Sequence, residues 1–261
     1  MRVWCVANQK GGVGKTTTAV NLAGLLTRVG RRVLLVDLDP QGSLTSYFGY
    51  NPDAVENSFY NLFQDAERSP QQLIIETGIR ALSLLPASTA MATLDKKMGV
   101  KGGKGVVVRQ ALQRLAAEYD NIIIDCSPVL GILLVNALAA SDFLVIPVQT
   151  EHLALKGLER MGVTIAMIER SLGRRLPHIV VPTMYDQRTR ASKQAMDDLK
   201  QGWGNVLYED VIPVDTQFRD ASRVSLPLTM LNPKSRGARA YLRLIKRVIA
   251  DDSLQTTSDT A

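Results

Sequence analysis

Lys10-Gly11-Gly12-Val13-Gly14-Lys15-Thr16 is the stretch on which the fold of this chain turns. It follows a short apolar run, Val3–Ala7, and precedes a helix-like one, Thr17–Leu26. A strand, a glycine turn and a helix N-terminus in that order make a phosphate cradle. Gly11, Gly12 and Gly14 let the backbone curl until successive N–H groups converge on one anion. The helix starting near Lys15 adds unsatisfied donors and the positive end of its dipole. Lys15 then acts as a point charge for β- and γ-phosphates, and the Thr16 hydroxyl as a Mg²⁺ ligand. Gly11, Gly12, Val13, Gly14, Lys15, Thr16 and Thr17 are the expected nucleotide-binding residues.

The pattern departs from the ordinary P-loop, G-x-x-x-x-G-K-[ST], because Gln9 stands where the first glycine belongs. What is satisfied instead is K-G-G-x-G-K-[ST], which resembles the deviant Walker A motif of the ParA/MinD superfamily of ATPases. That resemblance implies ATP and Mg²⁺ as cofactors and an ATP-sandwich homodimer. It also implies that Lys10 reaches across the interface to the partner's nucleotide, a catalytic role in trans. The placement makes sense physically: Lys10 enters the loop from the far side of the glycines, free to project outward.

The rest of the chain reads as alternating strands and helices. Apolar runs of strand length occur at Val3–Ala7, Arg32–Asp37, Leu82–Leu85, Asn121–Asp125, Phe143–Val148, His178–Pro182 and Leu207–Val211. Helix-length amphipathic segments lie near Lys15–Val29, Val106–Tyr119, Gly131–Ala140, Ala154–Leu172, Ser192–Gln201 and Ser235–Ala250. Nearly continuous Val, Ile and Leu in the strands predicts burial on both faces. The expected fold class is therefore α/β: a three-layer, doubly wound, mostly parallel sheet with helices on both faces. Its active loops should sit at the C-terminal ends of the strands. Residues 1–250 read as a single P-loop ATPase domain and 251–261 as a polar, disordered tail. Gly99–Gly105, with four glycines and two lysines, reads as a mobile surface turn.

Composition narrows the setting. With 261 residues and 46% apolar content, the chain can build one α/β core. No run of 18 apolar residues exists to span a membrane, and Met1–Ala7 reads as a core strand rather than a signal peptide. Cys5 and Cys126 sit in or beside apolar strands and read as small buried thiols of a cytoplasmic protein. The net charge of +6 permits attraction to DNA or an anionic surface without demonstrating it. In the C-terminal helix, Tyr241, Leu242, Ile245, Val248 and Ile249 lie on one side, which reads as a face packed on the sheet.

Two acidic motifs complete the site. In Val36-Asp37-Leu38-Asp39-Pro40-Gln41, alternation puts Asp37 and Asp39 on one side of an extended segment facing the phosphate loop. Two carboxylates there can organise a Mg²⁺ shell and orient a water. The stretch resembles the family's switch I, D-x-D-P-Q, which implies that Asp39 positions the hydrolytic water and Asp37 supports the metal. Ile122-Ile123-Ile124-Asp125-Cys126-Ser127-Pro128 resembles a Walker B strand with switch II, implying that Asp125 holds Mg²⁺ through water. Met184, after the sixth strand, and Pro213, in a loop that packs near adenine in the family, are the expected base-side contacts.

The resemblance implies an ATPase, slow and stimulated by a protein partner, whose dimer switch positions a cargo. DNA-partitioning members carry basic residues just after the Ile-Pro pair, whereas Val214, Asp215 and Gln217 stand there in this chain. Arg188, Arg190, Arg219 and Arg223 are the remaining candidates for DNA contact. Pro213-Val214-Asp215-Thr216-Gln217-Phe218-Arg219-Asp220-Ala221-Ser222 is similar to the chemotaxis-associated ParA-like group, ParC. That similarity implies positioning of polar chemotaxis arrays through an array-associated adaptor. The alternative is plasmid or chromosome partitioning through non-specific DNA binding with a ParB-type partner on the nucleoid. An iron–sulfur reductase of the nitrogenase iron-protein type shares this P-loop, but the cysteines of this chain do not suit its bridging cluster; a ligase such as dethiobiotin synthetase has a related fold and would show acid-substrate-dependent ADP release.

Overall fold

The computed structural model describes residues 1–94 and 106–258, with side chains described as far as Asp252. Among the described residues, seven strands form one sheet: β1 (Arg2–Val6), β2 (Val33–Leu38), β3 (Ile75–Glu76), β4 (Leu82–Leu85), β5 (Asn121–Cys126), β6 (Phe143–Gln149) and β7 (His178–Thr183). Their order across the sheet is β3-β4-β2-β5-β1-β6-β7, parallel throughout except where β3 runs antiparallel at the edge. The helices are α1 (Lys15–Arg28), α2 (Ser43–Tyr47), α3 (Phe59–Gln64), α4 (Val107–Gln113), α5 (Ile132–Ala140), α6 (His152–Leu172), α7 (Arg190–Trp203), α8 (Gln217–Arg223), α9 (Leu228–Leu231) and α10 (Arg236–Ser258).

Strand alternation divides the core into two layers. Val3, Cys5, Leu34, Val36, Ile122 and Ile124 pack beneath α3 to α7. Trp4, Val6, Leu35, Ile123 and Val145 face the other way, under α1 and α10. Every residue of β2 and β5 is buried, as the unbroken aliphatic runs require. The three-layer, doubly wound reading of the sequence holds.

Several element expectations need correction. Leu207–Val211 is not a strand; it meets β7 at one bridge, Val180 to Leu207. Backbone bonds join Tyr208 to Val180 and Ile212 to Pro182, so four residues advance against two and Glu209–Asp210 bulges out. Arg243 holds the displaced Asp210 and Arg247 pairs with Glu209. The helix expected to Tyr119 stops at Gln113, after which i→i+3 bonds tighten the chain through Leu115, Ala116 and Glu118.

At the other end, α10 runs on to Ser258, past the start of the expected tail. Asp252 is buried, accepting from Arg2 Nε at 2.9 Å and Trp4 Nε1 at 3.2 Å. Residues 259–261 lie outside the described residues, and so does the turn expected at Gly99–Gly105. Tyr241, Ile245 and Val248 are buried as expected, while Leu242 and Ile249 stay exposed.

Candidate nucleotide site

The glycine loop joins β1 to α1 at the centre of the sheet. Gly12 has φ +77° and Gly14 φ +87°, left-handed conformations that a side chain resists. Gly14 is also the N-cap of α1, so the helix's first N–H groups open toward the loop. The loop is moored from the far strand: Thr183 Oγ1 donates to the Val13 carbonyl at 2.9 Å. Lys15 is only 8% exposed, and its ammonium donates to the Lys10 carbonyl at 3.3 Å. Among the described residues it has no ion pair, so its charge is available to a ligand.

The acids converge because β5 lies between β1 and β2. Asp37 and Asp125 are register partners across β2 and β5. Thr16 Oγ1 donates to Asp125 Oδ2 at 2.6 Å, tying the first turn of α1 to the strand end. The other oxygen, Oδ1, is buried with no hydrogen-bond partner. Burial, then the neighbouring Asp37, raises the Asp125 carboxyl far above its usual range, to about 8. Burial likewise pushes Asp37 up, to about 6, against the hydrogen bonds it receives.

An unmet carboxylate oxygen beside a threonine hydroxyl offers hard oxygen donors, which fit a divalent cation such as Mg²⁺. A cation there would favour the ionised acids. Asp37 departs from the expectation of a metal-facing group. Its Oδ1 accepts from the Asp39 N–H at 3.1 Å, and its Oδ2 from the Thr45 N–H and hydroxyl at 2.8 and 2.7 Å. Both of its oxygens brace the loop that carries Asp39. Asp39 itself is 7% exposed and accepts from the Gln41 N–H at 3.0 Å.

Around these groups is a cavity of 420 Å³, bounded by Gly12, Lys15, Asp39, Tyr47, Met184 and Arg219 among others. That is within the usual size of a small-ligand site. Met184 has φ +52°, an uncommon conformation for a non-glycine residue, and its side chain hangs over Gly14. Pro213 lines a second cavity of 720 Å³ with Tyr185 and Asp186, and bridges to Tyr185. Met184 and Pro213 are thus on two different cavity walls.

Lys10 is half-buried and packs against α6. A Cβ at Gly157 would come within 2.9 Å of the Lys10 Cβ, so only glycine admits this approach. The four arginines do not share one environment. Arg188 is paired with Asp186 at 2.6 Å, whose carboxyl the guanidinium holds down at about 2. Arg190 and Arg223 are exposed at helix ends, and Arg219 borders the phosphate cavity. Cys5 and Cys126 are buried free thiols with sulfurs 3.2 Å apart, and burial pushes the Cys126 thiol well up.

Sequence reasoning missed Asn8, Thr45, Gly157 and Thr183. Asn8 is fully buried, donates to the Pro147 carbonyl at 2.8 Å and leaves its Oδ1 unmet near Gly157. None of these four stands in a motif. Their roles come from chain segments that meet only in the fold.

Comparison with known proteins adds to the geometry. Residues 1–177 match the AAA-domain family. Over 251 residues the chain is 39% identical to the sporulation initiation inhibitor protein Soj of Bacillus subtilis, covering 96% of this chain and 99% of that protein. It is 36% identical over 253 residues to the chromosome partitioning protein ParA of Myxococcus xanthus, covering 97% and 89%. Among solved structures, a cobyrinic acid a,c-diamide synthase from Mycobacterium smegmatis with bound ADP and magnesium superposes with TM-score 0.80 at 33% identity, covering 95% and 94%. A putative plasmid partition protein from Borrelia burgdorferi bound to AMPPNP gives TM-score 0.80 at 25% identity, covering 95% and 98%.

Proposed function

The chain belongs to the ParA/MinD superfamily, and on that footing we propose that it is a slow ATPase whose MgATP-dependent dimerisation positions a cellular cargo. The observation that carries the reading is the Lys15 ammonium, without an ion pair among the described residues, set beside the unmet Asp125 oxygen next to Thr16. One group is built for an anion and the other for a cation, side by side at one loop. The nucleotide-bound relatives support ATP and Mg²⁺ as the occupants.

In this reading the loop N–H groups and Lys15 hold the β- and γ-phosphates. Thr16 and Asp125 would hold Mg²⁺, with Asp37 bracing from behind, and bound Mg²⁺ would supply neutralisation of charge that builds on the phosphates. Asp39 orients the water for in-line attack on the γ-phosphorus. Lys10, projecting from the loop beside α6, reaches the nucleotide of a second copy. Asp39→Ala should cut turnover at least a hundredfold while ATP binding persists and the dimer accumulates, as read by phosphate release and light scattering. Unchanged turnover would remove Asp39 from its role.

For the cargo, we favour polar chemotaxis arrays through a protein adaptor. Support comes from Pro213–Ser222, where Val214, Asp215 and Gln217 replace cations and Asp215 is consumed by the Gly237 and Gln217 N–H groups at 2.9 and 3.1 Å. The second reading is partitioning on the nucleoid with a ParB-type partner. It is supported by the names of the Soj and ParA relatives and by the exposed Arg190 and Arg223. ATP-dependent binding to random duplex DNA at near-physiological salt separates the two: clear binding selects partitioning. An acid-dependent release of ADP would instead point to a ligase like the diamide synthase. Among the described residues no helix is long and apolar enough to cross a membrane.

A further inference from the structure

Arg219 is the one arginine of the four DNA candidates that borders the phosphate cavity. It lies on α8, and Ser222, three residues on and so on the same helix face, borders the cavity too. Among the described residues its guanidinium has neither an ion pair nor a hydrogen bond. Arg188, by contrast, is spent on Asp186.

The wall that carries Arg219 is fixed to the cradle. Phe218 meets Tyr241 edge-on with centroids 5.7 Å apart, and the Tyr241 hydroxyl is 2.9 Å from Thr18 Oγ1 in the first turn of α1. Phe218 also lies directly over Gly237, where any Cβ would strike its ring. Behind α8, the Tyr47 hydroxyl donates to the Leu226 carbonyl at 2.7 Å, linking the wall to α2 and the loop that carries Asp39. A free cation is therefore held by rigid packing across a cavity whose opposite wall is an anion cradle.

We propose that Arg219 binds the polyphosphate of this chain's own nucleotide, closing it between the glycine loop and α8. The inference rests on the nucleotide reading above and deepens it. The guanidinium's planar fork matches phosphate oxygens in pairs, which a lysine cannot copy. The same chemistry would also suit the phosphates of a DNA duplex, so the test separates the two sources.

The full chain is titrated calorimetrically with MgADP and with MgATPγS, without DNA. Arg219→Ala and Arg219→Gln should each weaken both nucleotides about tenfold, with Arg219→Lys falling between them and the unsubstituted chain. The nucleotide-free melting temperature should not move, since the side chain is exposed and unpaired. Nucleotide affinity within twofold of the unsubstituted chain in both Ala and Gln variants overturns the proposal. A loss confined to duplex binding by the ATPγS-loaded protein would also overturn it and give the guanidinium to DNA. If the unsubstituted chain binds neither nucleotide, the proposed function falls, and this inference with it.

Discussion

The three loop glycines should come apart under alanine substitution, because the structure gives them different reasons to be glycine. Gly14 holds φ +87° and Gly12 φ +77°, with no neighbour closer than 4.0 Å to an added Cβ. Their penalty is purely conformational, about 1–2 kcal/mol for an L-residue in the left-handed region. In a chain of this size that amounts to roughly 3–6 °C in melting temperature. Gly11 has no such φ, and an added Cβ there also meets nothing within 4 Å. Gly11→Ala should leave the nucleotide-free protein within about 1 kcal/mol of the unsubstituted chain, with a gain as plausible as a loss. Yet that open space is the cavity itself, and a methyl group in it separates the backbone N–H groups from a phosphate. MgADP affinity should drop at least tenfold, about 1.4 kcal/mol. Differential scanning fluorimetry without nucleotide, paired with calorimetric titration of MgADP, reads both quantities. The reasoning is refuted if Gly11→Ala melts as low as Gly14→Ala, or binds MgADP as the unsubstituted chain does.

Gly157→Ala should displace Lys10, since the new Cβ would lie 2.9 Å from the lysine's own; ATP-dependent dimerisation, followed by light scattering, should weaken about tenfold while MgADP affinity changes less than threefold. Asp125→Asn removes a carboxyl that burial forces to take up a proton on folding, so the metal-free protein should melt a few degrees higher at pH 7, while the Mg²⁺ dependence of ADP binding disappears. Asp120 is held down at about 2 by the Arg32 side chain and backbone N–H, so its contribution to stability is present above the ordinary carboxylate range and is lost as pH falls through about 2. Asp120→Asn should accordingly lower the urea midpoint at pH 7, and the difference from the unsubstituted chain should shrink below pH 4 and vanish near pH 2.

What could be read from the chain beforehand was whatever repeats locally. β2 and β5 declare themselves as aliphatic runs ending in acids, and the glycine loop declares itself by spacing. α2, α3, α8 and α9 are seven residues or shorter, too short for a 3.6-residue period to emerge. The bulge at Glu209–Asp210 depends on α10, thirty-odd residues on, whose arginines draw those acids outward. Thr183 and Val13, or Gly157 and Lys10, meet only because the strands are ordered as they are.

That order is what makes a site out of separate motifs. Neighbouring strands are about 4.8 Å apart, so β5 between β1 and β2 sets Asp125 one strand from the loop and one from Asp37. Were β5 at the sheet edge beyond β4, Asp125 would sit about 10 Å further from the loop, beyond reach of the Thr16 hydroxyl. Chain direction matters equally. Because β1, β2 and β5 run parallel, the residues leaving each one emerge at the same edge. An antiparallel β5 would have sent Asp125 to the opposite end. The pair that carries the proposed function, an ammonium bonded only to a loop carbonyl and an unmet carboxylate oxygen, follows from topology as much as from the residues themselves. The same logic covers α8, where Arg219 borders the loop only because Phe218, Tyr241 and Thr18 pin that helix against α1.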